Sequence, residues 1–483
     1  MIFTLTFILN AVLNFAFGVL LSAVLGPAEF GRFATIALAA TTLGTALFDW
    51  LRLSAIRFSG DASRTGVSAS LDGGYIAMMA AAVVGALACI AAGRDFGAGP
   101  LLLALTPFLS IANARCDFCA ARFRARDQGR AFALLYLLRH CLTFTFVITV
   151  AIFTHSVVAV VGALAAATLG PVVLLGAQLR TQGATLAHAD RRTIAGFIAY
   201  AKPIVAATVL YQLVGLINRQ SAIEMFGLAQ AGQLALATDL GFRLFLALNA
   251  MPENLLFQHV LVRDRVEGRA AAERQLATNG AMVLALLAPL AIGYFTMMPT
   301  FEALVVPQAY RGDFARLSLF LTPGFLAYCV IYSILNPVFQ LAQRTWPLTI
   351  AAIVALGADL IFIRLPFFNT DVAGLAMAHS ASLVAGCLAA AAMALRRAAV
   401  RPSLRDVVVI LGASATMAAL VRPLNGVHPP WFAALLAMAI GGATIGAGVL
   451  VFDVAGLRRA CLEKLRRHKP VALAGAVRAL VGH

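Results

Sequence analysis

The chain has 483 residues, of which 61% are hydrophobic and 12% charged, whereas an ordinary globular domain carries about 25% charged residues. That composition excludes a soluble protein. The formal charge of +16, from 37 basic against 21 acidic residues, would point to nucleic acid on a soluble domain. Here the basic residues are nearly all Arg set between apolar runs, which ties them to a membrane boundary, and no nucleic-acid partner is expected. The seven Cys are scattered singly apart from Cys116 and Cys119, so no disulfide framework is implied. That single C-x-x-C has no second pair and is not read as a metal or redox site, and no cofactor is expected.

From the N-terminus, residues 2–25 form an apolar run with no basic leader, which reads as a retained first span rather than a cleaved signal. Further runs bounded by Arg, Gly and Pro follow, so that spans are centred near residues 14, 44, 83, 110, 142, 167, 212, 241, 287, 325, 356, 384, 413 and 441. A span needs about 20 apolar residues, so fourteen consume most of the hydrophobic positions. The expected fold class is all-α: a polytopic membrane protein with about 14 transmembrane helices, arranged as two parallel six-helix repeats plus two C-terminal helices.

The Arg distribution sets the orientation. Even-numbered connections hold 20 Arg: 52, 57, 64, 115, 122, 124, 126, 130, 180, 191, 192, 263, 265, 269, 274, 344, 396, 397, 401 and 405. Odd ones hold six: 32, 94, 311, 316, 364 and 422. The positive-inside rule therefore expects both termini in the cytoplasm. Connections are too short for a folded extramembrane domain. The tail over 456–483 sets Arg458, Arg459, Lys464, Arg466, Arg467 and Lys469 beside Leu457, Leu462 and Leu465, which suits a basic cytoplasmic segment on an anionic leaflet.

Val24 to Ala34 recurs loosely as Met225 to Ala235, with Gly26, Ala28, Gly31 and Ala34 aligning with Gly227, Ala229, Gly232 and Ala235, a displacement of 201 residues. Each copy lies between an odd span and the next even one, where the glycines permit a tight turn at the outer surface. A weaker echo pairs Val160 to Gly162 with Val372 to Gly374. The repeat therefore comprises six spans, and an even number gives both halves the same polarity, as in transporters built from parallel repeats. The expected division is an N-terminal six-helix lobe over 1–190 and a C-terminal one over 191–398. Two additional helices over 399–455 and the tail follow.

Leu25 to Gly31 (LGPAEFG), Ile217-Asn-Arg-Gln220 followed by Phe226 to Gly232, and Leu335 to Arg344 (LNPVFQLAQR) together resemble bacterial polysaccharide flippases. These proteins move lipid-linked O-antigen or exopolysaccharide units, within the multidrug/oligosaccharidyl-lipid/polysaccharide exporter superfamily. The resemblance implies two six-helix lobes around a cationic cavity, alternating access, and a polyprenyl-diphosphate-linked oligosaccharide as substrate. It also implies a bacterial inner-membrane location, with polysaccharide polymerase or glycosyltransferase partners. Such flippases usually carry Asp-Arg near the end of span seven, where this chain has Asn218-Arg219. A drug/cation antiporter of the same superfamily is the alternative within the fold. A membrane-embedded polysaccharide polymerase or ligase is the alternative among enzymes, but the outer connections are short for sugar chemistry, and no enzyme is expected.

Ionisable groups at bilayer depth are costly unless paired or hydrated, and so mark cavities. Arg139 and His140 lie in span five, Arg219 in span seven, Asp239 and Arg243 in span eight, and Asp359 in span eleven. Guanidinium stays charged at physiological pH and grips phosphate oxygens bidentately. The expected substrate-binding set is therefore Arg219, Arg243, Arg139, Asp239 and Asn14. Asp239 and Arg243 are four apart and able to neutralise each other, whereas Arg219 has no nearer acid in sequence than Glu224. Asp49 and Arg52 form an i, i+3 pair at the inner end of span two and are the expected gate.

Overall fold

A computed structural model describes residues 2–58, 65–91, 100–176, 189–394, 401–459 and 462. Arg64, Arg94, Arg180, Arg396, Arg397 and, in the tail, Lys464, Arg466, Arg467 and Lys469 lie outside the described residues. In chain order the helices are α1 (Ile2–Phe58), α2 (Thr65–Ala91), α3 (Pro100–Ala125) and α4 (Gly129–Leu142). A π turn at Thr143–Val147 carries α4 into α5 (Ile148–Thr154). Then come α6 (Val157–Gly176), α7 (Arg191–Phe226), α8 (Leu228–Val266), α9 (Arg269–Thr296), α10 (Met298–Val305) and α11 (Asp313–Val330). A second π turn, Ile331–Leu335, joins α11 to α12 (Asn336–Leu341), and α13 (Trp346–Phe362), α14 (Val372–Ala394), α15 (Leu404–Val421) and α16 (Pro430–Val451) complete the chain.

No strand occurs among the described residues; helices meet the demand of bilayer-embedded backbone by pairing N–H and C=O groups within their own segment. Eleven of these helical segments are long and apolar enough to cross a membrane, and Trp346–Phe362 is a shorter apolar helix. The protein is thus a multi-pass membrane protein. Each of the fourteen expected span centres falls on a described helix. The long α1 holds two of them because it is broken at Gly26, whose φ of 69° and ψ of 173° interrupt the helix.

The helices form two compact units. The first comprises Met1–Ala247, Val305–Ala327 and Gln343–Ala390; the second comprises Leu248–Leu304, Tyr328–Ala342 and Ala391–His483. In the first, Phe48, Trp50, Leu51, Tyr75, Phe118 and Phe197 make an aromatic core joining α1, α2, α3 and α7. A neighbouring core of Phe123, Leu135, Val172 and Leu175 ties α3, α4 and α6 together. In the second, Ala288, Ile410 and Val454 pack α9 against α15. Thr300 there donates to Asn425, whose amide donates to the Thr296 carbonyl.

The repeat has a three-dimensional counterpart inside the first unit. Gly227, between α7 and α8, has φ 86° and ψ 171°, nearly the conformation of Gly26, so both copies turn the same helix–Gly–helix corner. Positive φ is open to glycine at little cost. The two corners also meet. A Cβ on Gly31 would lie 2.6 Å from the Leu228 carbonyl oxygen and 2.9 Å from the Gly232 nitrogen, and one on Gly232 would strike the Pro27 carbonyl. Pro27 and Leu228 are counterparts under the same 201-residue displacement, so the contact is reciprocal, as across a two-fold axis. The weaker echo shares no such geometry: Gly374 packs on the Phe368 backbone, while a Cβ on Gly162 would meet open space.

Candidate functional site

The expected site residues fall into two groups, both in the first unit. One group surrounds Arg219 and Arg243. Arg219, near the end of α7, is 4% exposed. Its Nη1 donates to the Ala34 carbonyl at 2.7 Å and its Nη2 to Asp239 of α8. Asp239 is thus the ion-pair acid of Arg219, supplied from another helix although no acid nearer than Glu224 precedes or follows Arg219 in sequence, and it makes no hydrogen bond to Arg243 among the described residues. Both hydrogen-bonding ends of Arg219 used here are committed to protein atoms that pin α7 to α1 and α8.

Arg243, one turn further along α8, is half-buried and reaches instead to α1. Its Nη1 donates to the Asn14 backbone carbonyl and, at 3.0 Å, to the Asn14 side-chain oxygen. Room for the guanidinium comes from Gly18, where an added Cβ would stand 3.0 Å from Nη1 and 3.3 Å from Cζ. Among the described residues, Nε and Nη2 of Arg243 have no hydrogen-bond partner. Asn14, which holds the other edge, is exposed. The arrangement presents two parallel N–H donors, the fork that carboxylates and phosphates accept.

The second group surrounds a cavity of about 140 Å³ lined by α1, α3 and α4. Arg139 of α4 donates to Asp117 and to Asn113, each at 2.9 Å. Arg52 holds Asp49 through two bonds, 2.8 and 3.1 Å long. All five side chains line the same space, with Thr41, Thr45 and Phe48. The expected gate pair Asp49 and Arg52 therefore shares a chamber with Arg139, not with Arg219 or Arg243. Two cations and two anions balance there, which suits water and neutral polar groups better than a free anion. Gln212 of α7 extends the polar lining by donating to Thr45 at 3.1 Å.

Asn113 and Asp117 were not singled out from sequence, although their i, i+4 spacing in an apolar helix places them on one face. Asp359 is the ionisable residue of span eleven. It is fully buried on α13 and accepts from the Asn218 amide at 2.7 Å. Its Oδ2 and the Asn218 Oδ1 have no hydrogen-bond partner among the described residues. His140, the remaining titratable group, bonds the Tyr136 carbonyl through Nδ1 at 2.8 Å, a local contact within α4.

No protein-family model matches the sequence, and no curated protein matches it. Solved structures do. A lipid II flippase MurJ in an inward closed conformation superposes with a TM-score of 0.73 at 13% identity, covering 93% of this chain and 98% of its own. The chain has the fold of these membrane exporters. An inward-facing multidrug resistance MATE transporter of the MOP superfamily gives a TM-score of 0.55 at 14% identity, covering 80% of this chain and 94% of its own. A MATE protein in a bent conformation gives 0.54, at 14% identity, covering 86% of this chain and 95% of its own.

Proposed function

We propose that the protein is an ATP-independent flippase that moves a polyprenyl-diphosphate-linked oligosaccharide from the cytoplasmic to the outer leaflet of the bacterial plasma membrane, supplying cell-surface polysaccharide synthesis. The observation that carries this reading is Arg243, a guanidinium at membrane depth with one edge held by Asn14 and the other unengaged. A cation so placed is costly unless it lines a wet cavity or meets an anion, and a diphosphate supplies that anion. Arg219 and Asp239 are the support that fixes α7 and α8 around it. The likeness in fold to a lipid II flippase agrees with cargo of this kind.

In the proposed cycle the lobes over 1–190 and 191–398 expose the Arg243 region alternately to each side, with both termini in the cytoplasm. The reciprocal Gly31–Gly232 contact is a closure that one of these states breaks. The saccharide passes with the diphosphate while the polyprenyl chain stays in lipid, and a polymerase or glycosyltransferase acts on either side of the step. The test is transport by the purified protein in proteoliposomes with three cargoes: a polyprenyl-diphosphate saccharide, the same saccharide on a monophosphate, and a lipophilic cation. Movement of the diphosphate cargo in preference to the other two is expected. Movement of the cation alone would assign the protein to drug export.

A further inference from the structure

Away from both groups described above, the turn from α3 to α4 and the end of α6 enclose an open cavity of about 560 Å³, lined by Asp127, Gln128, Arg130, Leu134 and Leu175 among others. The chain turns there through Asp127, whose φ is 55°. Its walls divide by chemistry. Asp127, Gln128 and Arg130 are exposed at the polar rim. On the apolar side Leu134 is 44% exposed, and the adjoining α6 residues Val173 and Leu174 are 77% and 68% exposed. An apolar helix surface that ends in a rim of charge marks the level at which acyl chains give way to headgroups.

Two of the charges at this rim, Asp127 and Arg130, are unspent. Arg122, one turn earlier in α3, is buried and bonded to Asp72 and Ser68, whereas Arg124 and Arg130 have no ion-pair or hydrogen-bond partner among the described residues. Asp127 likewise has none from its side chain. One unpaired guanidinium, Arg130, and one unpaired carboxylate, Asp127, line the same cavity. A purely anionic ligand would meet repulsion from Asp127, and a purely cationic one repulsion from Arg130. A headgroup with a phosphate and a primary ammonium a few bonds apart answers both.

We propose that this cavity binds the headgroup of phosphatidylethanolamine, with the phosphate at Arg130, the ammonium at Asp127, and the first acyl carbons along Leu134 and Leu175. Basic pockets at the cytoplasmic ends of membrane helices are suited to phospholipid headgroups, and the carboxylate adds discrimination for the amine. The site is independent of the cargo proposed above, since none of its residues belongs to the Arg219–Arg243 group or to the Arg139 chamber.

The experiment is native mass spectrometry of the full-length protein in detergent, offered phosphatidylethanolamine, phosphatidylcholine and phosphatidylglycerol with identical chains. Retention of phosphatidylethanolamine about fivefold over the other two is expected, the size of one charged contact near a membrane surface. D127N should erase the preference over phosphatidylcholine while leaving a lipid bound. R130Q should lower retention of phosphatidylethanolamine by a similar factor. Both positions are exposed, and thermal unfolding confirms that each variant is folded. Phosphatidylglycerol retained as well as phosphatidylethanolamine, or either variant behaving as wild type, would overturn the proposal. So would full displacement by inorganic phosphate, which would reduce the site to one for a free phosphate.

Discussion

Replacing Gly232 by Ala tests the reciprocal corner contact more sharply than any deletion, because alanine ordinarily stabilises a helix. The change from glycine in a helix interior contributes about 0.5–1 kcal/mol when the new methyl group has room. At Gly232 it has none. At the counterpart Gly31 the nearest carbonyl oxygen would be 2.6 Å from the new carbon, whereas ordinary contact begins near 3.4 Å, and Gly232 faces the Pro27 carbonyl more tightly still. Backbone on both sides leaves no flexible side chain to yield. Overpacking of this kind costs about 1–3 kcal/mol, so the net effect is a loss of about 0–2 kcal/mol from the closed contact. A Gly162→Ala variant on α6, where nothing lies within 4 Å, is the control and should gain stability. Thermal unfolding in detergent measures both, and labelling of Thr35→Cys, a buried position beside the contact, reads whether the corners part. Gly232→Ala is expected to lower stability, to raise labelling, or both. If it shifts the melting temperature upward as Gly162→Ala does, with labelling unchanged, the contact is not close-packed and the reasoning fails.

Further outcomes follow from the same geometry. Arg219→Ala leaves Asp239 without its partner and frees the Ala34 carbonyl; with Asp239 about a quarter exposed, the cost is about 3 kcal/mol, at the low end for a broken buried pair. An Asp239→Asn second substitution should recover part of that loss in thermal unfolding. Arg139→Ala strands Asp117 in the chamber it shares with Asp49 and Arg52, and is expected to lower stability while leaving diphosphate binding intact. Asp190 caps α7, with Thr193 donating from both its hydroxyl and its backbone, and Arg192 from its backbone. These bonds hold its carboxyl below the ordinary carboxylate range. Its contribution is therefore present above the unfolded-state value and lost as pH falls through the folded one, which hydrogen exchange in the first turn of α7 would follow. If the cargo carries net negative charge outward, an inside-negative potential favours it by about 2.3 kcal/mol per charge per 100 mV. Flipping indifferent to an imposed potential would contradict that coupling.

The helices were legible because the bilayer demands long apolar runs, and every expected span centre lies on one. The corner at Gly26 was legible for a different reason: its copy at Gly227 adopts the same positive φ, a conformation that constrains residue type. The second echo, around Gly162 and Gly374, has no matching close approach, since one glycine packs on backbone and the other faces open space. Site geometry was legible in part. Sequence spacing put Asp239 and Arg243 on one face of α8, but pairing in a bundle is set by which helix crosses at that level. There α7 brings Arg219 to Asp239, and α1 brings Asn14 to Arg243. The same limit hid Asp117 and Asn113 as partners of Arg139, and Asp359 as the partner of Asn218, 141 residues away in sequence.

The central claim is that the unengaged edge of Arg243 receives the diphosphate. The most direct measurement is initial flipping rate of a polyprenyl-diphosphate saccharide in proteoliposomes for wild type, Arg243→Lys and Arg243→Ala, each matched for folded protein. Wild-type activity, about tenfold loss with alanine and partial retention with lysine are expected, since a point charge replaces the fork without its bidentate geometry. Equal rates for all three, in protein that flips this cargo, would contradict the account.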